Sequence, residues 1–315
     1  MKVGFIGLGN VGGKLAGSLL RGGVDLTVLD LDPERMEALA SNGASTGGDP
    51  AALMATCDIV ITCLPSPAAS AAVMDLMLPE VRPGKIWAEM STTDEAEVRR
   101  LGALVVAQGG QALDCPVSGG CHRAATGNIS IFAGGARETF VAVLPLLTVM
   151  GRRILHTGDL GSASILKVVT NYLATANLIS CAEALTVAKG AGMDLGTAYH
   201  AIAISSGTSF VHETESQVIL NGSRDISFTM GLVAKDIGLF QDVADRAGIP
   251  LELNPRMVEI FADGIDRYGP GELSPNIIKR LEEATGLDIR APGFPAEMMD
   301  DEPEEPGAEV VVSRR

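Results

Sequence analysis

Six residues near the start constrain the fold more than any other feature of the chain. Gly7, Leu8, Gly9, Asn10, Val11 and Gly12 follow directly on the apolar run VGFI and open a stretch with helical spacing. In a G-x-G-x-x-G turn between a strand and a helix, the first glycine makes the tight turn and the second lets the backbone approach a pyrophosphate. The third packs helix against strand, and the helix N-terminus faces the phosphates. Asp30 closes the next apolar run, LTVLD, 23 residues after Gly7. A carboxylate there accepts hydrogen bonds from the adenosine ribose hydroxyls and repels a 2′-phosphate. Leu31, Asp32 and Pro33 follow, with no Arg beside Asp30 to hold such a phosphate. A glycine turn alone is weak evidence, but strand, turn, helix and acid together predict a dinucleotide site with NAD preferred over NADP.

The rest of the first half continues the pattern. DIVIT, KIWAEM, NISIFAGG and RRILH are strand candidates separated by segments of helical spacing such as Asp94 to Gln108. Alternation of this kind predicts an α/β architecture with a parallel, doubly wound sheet of Rossmann type. After His156 the strand-like runs vanish. Ser162 to Gly190 is almost free of helix breakers and predicts one long interdomain helix. Helical segments follow at 195–205, 229–247 and 256–267. The expected domains are 1–160 for the nucleotide, 161–285 all-helical, and 286–315 a flexible, dispensable acidic tail, because four Pro and the run DDEPEEPGAE leave little apolar surface to pack.

Composition excludes several classes. With 24 Lys+Arg against 39 Asp+Glu the formal charge is −15, which repels nucleic acid and anionic membranes. The N-terminus lacks the charged and apolar regions of a signal peptide, and every long apolar stretch is interrupted by Pro, Asp, Lys or Asn, so a cytoplasmic protein is expected. The five cysteines are scattered and never form C-x-x-C, and the four histidines lack H-x-x-x-H spacing. No protein-bound metal is expected.

Two segments carry candidate chemistry. In DCPVSGG, Ser118 offers a hydroxyl, while Gly119 and Gly120 let backbone N–H groups converge on an anion such as a carboxylate. Composition alone also fits a glycine-rich turn between strands. Arg123 nearby is suited to a second acidic group on a substrate. Lys167 and Asn171 stand four apart near the start of the long helix, hence on one face. The positive end of the helix dipole and desolvation in a closed cleft both disfavour an ammonium, which moves a Lys toward the pKa a general base needs. The bland alternative is a Lys snorkelling to the surface.

From 1 to about 285 these motifs resemble the β-hydroxyacid dehydrogenases. GFIGLGNVGG resembles the family's cofactor loop, with Val11 where Met is frequent, and DCPVSGG with ATGNISIFAGG resembles its substrate signature. Gly158, Gly161, Lys167 and Asn171 match the spacing of its catalytic signature. The resemblance implies that Leu64, Pro65 and Thr92 border the cofactor, that Lys235 reaches it, and that Phe228 walls the substrate pocket. It implies NAD-dependent oxidation of a small β-hydroxy acid to the semialdehyde, or the reverse reduction; a helical domain following a nucleotide domain suggests interlocking subunits, and a homodimer or homotetramer is expected. A decarboxylating 6-phosphogluconate dehydrogenase fits less well, because the chain is short and Thr170 stands where that motif has His. An imine reductase commonly lacks the Lys found at 167. A non-catalytic NAD-binding protein of the same fold is the alternative from another class.

Overall fold

Strands form where β-branched runs can be covered on both faces. Val3–Ile6, Ile59–Thr62 and Ile86–Glu89 are buried at every position in the computed structural model, which describes residues 1–312. The order is β1 (Val3–Ile6), α1 (Gly12–Arg21), β2 (Leu26–Leu29), α2 (Pro33–Ala40), β3 (Ser45–Thr46), α3 (Pro50–Thr56), β4 (Ile59–Thr62), α4 (Pro67–Met77), β5 (Ile86–Glu89), α5 (Glu95–Ala107) and β6 (Gln111–Asp114). Next come β7 (Val117–Ser118), α6 (Gly120–Thr126), β8 (Ile129–Gly134), α7 (Arg137–Met150) and β9 (Gly151–Gly158). Asp32, Asp49, Ser66 and Asp94 cap the first turns of α2 to α5, each accepting from a backbone N–H, which fixes where those helices begin.

Strands β3, β2, β1, β4, β5 and β6 pair in parallel in that spatial order. The direction of winding therefore reverses between β1 and β4, the place where open α/β sheets bind ligands at their carboxyl ends. Expectation and structure part at β8, which runs antiparallel to β6 and parallel to β9. A parallel crossover needs a helix long enough to span the sheet. The seven-residue α6 does not, and the chain turns back at the left-handed Gly127.

The second unit starts within α8 (Ser162–Gly190) and continues with α9 (Leu195–Ala203), α10 (Phe210–Asn221), α11 (Met230–Ala247), α12 (Leu253–Tyr268) and α13 (Lys279–Thr285). The chain divides into compact units at Lys167 and Val168, seven residues beyond the expected boundary at 160. By length and hydropathy α8 could cross a bilayer. However, Ala163 and Val168 are buried, and Leu178, Ala182 and Leu185 belong to the helical unit's core.

The stretch expected to be a flexible tail holds defined positions. Ile289 is fully buried in the helical unit, and Ala291 donates its N–H to Leu220 O at 2.9 Å. From Asp300 the chain belongs to the nucleotide unit, where β10 (Ala308–Glu309) pairs in parallel with β9. Two features defeat the composition argument. The apolar Ile289 and Phe294 stand between the prolines and polar residues, and the acidic groups meet arginines: Glu302 meets Arg123, Glu305 meets Arg152 and Glu309 meets Arg137. Residues 313–315 of the expected tail lie outside the described residues.

Candidate active site

The glycine turn after β1 is built as the motif requires. Gly7 has φ +96°, and a Cβ there would stand 2.3 Å from Cys63 O. A Cβ on Gly12 would stand 2.0 Å from Gly7 O. Gly9 has room, its nearest neighbour being Arg35 Nη1 at 3.7 Å from the Cβ position, so a phosphate can reach the backbone there. Unlike α2 to α5, α1 has at its N-cap a residue, Val11, whose side chain cannot accept from the first turn. Asp30 is held by two backbone donors, Leu8 N–H at 2.5 Å and Asp32 N–H at 2.9 Å, one on each oxygen. Each oxygen keeps a lone pair for a ribose hydroxyl. These residues fit a dinucleotide. Arg35, which sequence spacing does not single out, is carried back to the turn by helix α2 and pairs with Asp32 at 3.1 Å.

Leu64 and Pro65 follow β4, and Thr92 follows β5, at the carboxyl ends of neighbouring strands. A buried carboxyl joins the two loops. Glu89 accepts from the Ser91 hydroxyl and from Ser91 N–H at 2.9 Å, and Ser91 Oγ accepts Leu64 N–H at 2.7 Å. The Leu64 N–H is thus engaged within the protein, which leaves its side chain and carbonyl as the groups that can border a cofactor. Burial pushes the Glu89 carboxyl above its ordinary pKa, against the hydrogen bonds from Ser91.

Four residues before the glycine loop at Ser118 lies a carboxyl that spacing and composition do not single out. Asp114, at the end of β6, is fully buried. Its Oδ1 accepts from Gly161 N–H at 2.8 Å, and its Oδ2 accepts from Ser164 N–H at 2.7 Å and Ser164 Oγ at 2.9 Å. It therefore caps the first turn of α8 from a distant strand, satisfying helical N–H groups and placing negative charge at the positive end of the dipole. Burial raises its pKa, and the donors from Gly161 and Ser164 oppose the rise. Four residues after Asp114 comes Ser118, on β7, then Gly119 at φ +130° and Gly120 at φ +88°. Three residues after Ser164 comes Lys167, which is buried. One carboxyl thus ties the glycine loop to the turn that carries the lysine. The only signal in the sequence was the D of DCPVSGG itself.

Arg123 on α6 donates to Glu302 Oε1 at 2.8 Å. A carboxylate of the chain itself thus stands beside the guanidinium expected to read a second acidic group on a substrate. In the helical unit, Asn171 Nδ2 donates to Asp236 Oδ2, and Lys235 Nζ pairs with Asp236 Oδ1 at 2.9 Å. Asp236 is buried on α11, and by taking the amide NH2 it fixes the orientation of Asn171. Phe228, partly buried, packs against the helical core just before α11. Among the described residues no group of three or more His, Cys, Asp and Glu could hold a metal ion.

Comparison with known proteins agrees with both halves. Residues 2–158 match the family described as the NAD binding domain of 6-phosphogluconate dehydrogenase. Residues 161–281 match the family described as NAD-binding of NADP-dependent 3-hydroxyisobutyrate dehydrogenase. The chain is 30% identical over 293 residues to 2-(hydroxymethyl)glutarate dehydrogenase of Eubacterium barkeri, covering 92% of this chain and 97% of that protein. It is 33% identical to a probable mitochondrial 3-hydroxyisobutyrate dehydrogenase of Dictyostelium discoideum, covering 82% of this chain and 84% of that one. Among solved structures, 3-hydroxyisobutyrate dehydrogenase of Mycobacterium tuberculosis with L-serine superposes with a TM-score of 0.81 at 26% identity, covering 89% of this chain and 98% of that chain.

Proposed function

Because the chain belongs to the β-hydroxyacid dehydrogenase family and is an NAD(P)-dependent enzyme acting on the CH–OH group of small hydroxy acids, we propose a division of labour among its residues. The glycine turn from Gly7 to Gly12 and Asp30 bind the dinucleotide, bordered by Leu64, Pro65 and Thr92 and contacted by Lys235. Asp30 favours NAD: Arg35, the cation near the turn, is engaged by Asp32, and a 2′-phosphate would meet the Asp30 carboxylate. Ser118, Gly119 and Gly120 hold the substrate carboxylate, Phe228 supplies an apolar wall, and Arg123 anchors the loop through Glu302.

When bound, NAD(P) supplies the hydride acceptor. Lys167 Nζ, as the neutral amine, takes the hydroxyl proton while the C–H bond gives up its electron pair, so the CH–OH carbon becomes a carbonyl. In the reverse direction the Lys167 ammonium returns that proton to the oxygen. Asn171, oriented by Asp236, hydrogen-bonds the reacting group or the lysine. The observation that supports this assignment most is the grip of Asp114 on the first turn of α8, which joins the carboxylate loop and Lys167 to one buried residue. The substrate is a small β-hydroxy acid of the kind named in the relatives, 3-hydroxyisobutyrate or 2-(hydroxymethyl)glutarate, and the protein works in the cytoplasm.

The test is reduction of NAD and NADP across 3-hydroxyisobutyrate, L-serine, glycerate and 2-(hydroxymethyl)glutarate, repeated with Lys167→Met. Turnover should favour NAD. The variant should bind NADH almost normally and lose about 100- to 10,000-fold in kcat, the range of a general acid–base contribution. The wild-type rate of oxidation should climb with pH and level off, since the neutral amine is the reactive form. Near-normal turnover by Lys167→Met would remove the lysine from the chemistry. Tight NADH binding without turnover of any hydroxy acid would favour a non-catalytic role.

A further inference from the structure

We propose that the C-terminal segment 300–309 is a strap that positions the substrate-carboxylate loop, with Asp300 and Glu302 as its positioning residues. The inference rests on the assignment of Ser118, Gly119 and Gly120 to the carboxylate. Helix α6, into which that loop runs, is weak: it has seven residues and is entered through two consecutive glycines at positive φ. A helix this short does not sustain itself, and glycines restrain its entry least of all residues. Its position depends on what grips it.

It is gripped on two sides. From α1, Arg21 Nη2 donates to Ala125 O at 2.6 Å and Ser18 Oγ to Ala124 O at 3.4 Å. The other grip comes from the C-terminal segment. Asp300 Oδ2 accepts from the Thr126 hydroxyl and from Asn128 Nδ2 at 2.7 Å, and Asn128 Nδ2 also donates to Glu302 O at 2.9 Å. Glu302 Oε1 takes Arg123 Nη2 at 2.8 Å. Burial works against the Asp300 carboxylate, yet the donors from Thr126 and Asn128 hold its pKa below the ordinary value. Asn128 is itself buried.

A strap must be fixed at its far end, and this one is. Gly307 donates its N–H to Thr148 O at 3.0 Å, Ala308 and Glu309 pair with Arg153 and Ile154 on β9, and Arg137 Nη2 meets Glu309 Oε2 at 2.9 Å. The family match of the helical half ends at residue 281, so the strap lies beyond it.

The experiment compares the full chain with the double variant Asp300→Asn with Glu302→Gln and with a chain ending at Met299. Three readouts are taken: hydrogen–deuterium exchange of the peptide 118–128, KM and kcat for the best hydroxy acid, and NADH affinity. We expect faster exchange in 118–128 with the peptide 2–30 unchanged. We expect KM to rise about tenfold, the scale of losing one charged hydrogen bond, with kcat and NADH affinity nearly constant. Replacing Glu302 by Asp in place of Gln should restore part of both effects. Unchanged exchange and KM in the double variant would overturn the proposal, whether or not the truncated chain folds. A lower KM would also overturn it, by showing that the segment obstructs the site. If the wild type turns over no hydroxy acid, the functional reading fails, while exchange in 118–128 still decides the strap.

Discussion

At the scale of single residues, the proposed chemistry rests on carboxyl groups that need not touch substrate. Asp114 accepts three hydrogen bonds at the start of α8, and an amide in its place would turn an NH2 toward backbone N–H groups. Asp114→Asn should therefore leave NADH affinity close to normal and lower kcat about ten- to a hundredfold, since small displacements of a reacting group cost on that order. Steady-state kinetics beside NADH fluorescence titration would check this, and an unchanged kcat would show that the first turn of α8 keeps its place without the carboxylate. Lys167, the proposed base, is a candidate from its spacing with Asn171. The part Asp114 plays beneath that turn is not legible in the same way, because an Asp before Cys-Pro reads equally well as a strand end.

At the scale of elements, α10 falls within the span expected to be all-helical, but sequence pattern does not delimit it. Its buried face mixes Val211, Val218, Ile219 and Leu220 with His212 and Ser216, so the apolar stripe is broken by polar groups. His212 is buried because its ring is used: Nε2 bonds Tyr199 O at 3.0 Å, Nδ1 meets Ser216 Oγ at 3.3 Å, and the ring stacks on Tyr199. The same helix carries Glu215, whose Oε2 is buried without a hydrogen-bond partner among the described residues, and burial raises its carboxyl to about 8. A folded-state pKa above the ordinary 4.5 favours the protonated form, so its contribution to stability is present below 4.5 and is lost as pH rises through about 8. Thermal unfolding followed by circular dichroism should show Tm falling by several degrees across that window. Glu215→Gln should flatten the fall. An identical pH profile in the variant would exclude Glu215 as the source.

At the scale of the whole molecule, α8 leaves apolar side chains uncovered. Leu173 and Val187 on the helical unit are exposed, an arrangement that suits a partner surface. We expect a homodimer or homotetramer, with a mass by light scattering at least twice the 32.6 kDa of one chain. Leu173→Glu with Val187→Glu should shift that mass downward while the circular dichroism spectrum is retained. A wild-type mass of one chain would end this reading. The net charge of −15 does not oppose association where the contact surface is apolar and charge remains at the rim.

The sequence by itself determined the strand–turn–helix opening, the place of Asp30, the change from alternating to all-helical texture near residue 160, and the single helical face shared by Lys167 and Asn171. All of these follow from local periodicity or from short motifs whose parts lie within a few turns of one another. Tertiary structure alone decided the reversed direction of β8, the cap that Asp114 places on a turn 47 residues away, the bond between Asn171 and Asp236 across 65 residues, and the pairing of Arg123 with Glu302 across 179. The physical reason is common to the three polar pairings. The donors to each carboxylate lie far away along the chain, so neither the largely apolar stretches around Asp114 and Asp236 nor the Pro-rich stretch around Glu302 discloses them, and only chain closure makes each a structural partner. For the same reason the acidic C-terminus, read from composition as free, is held in place by arginines and backbone groups that lie far away along the chain.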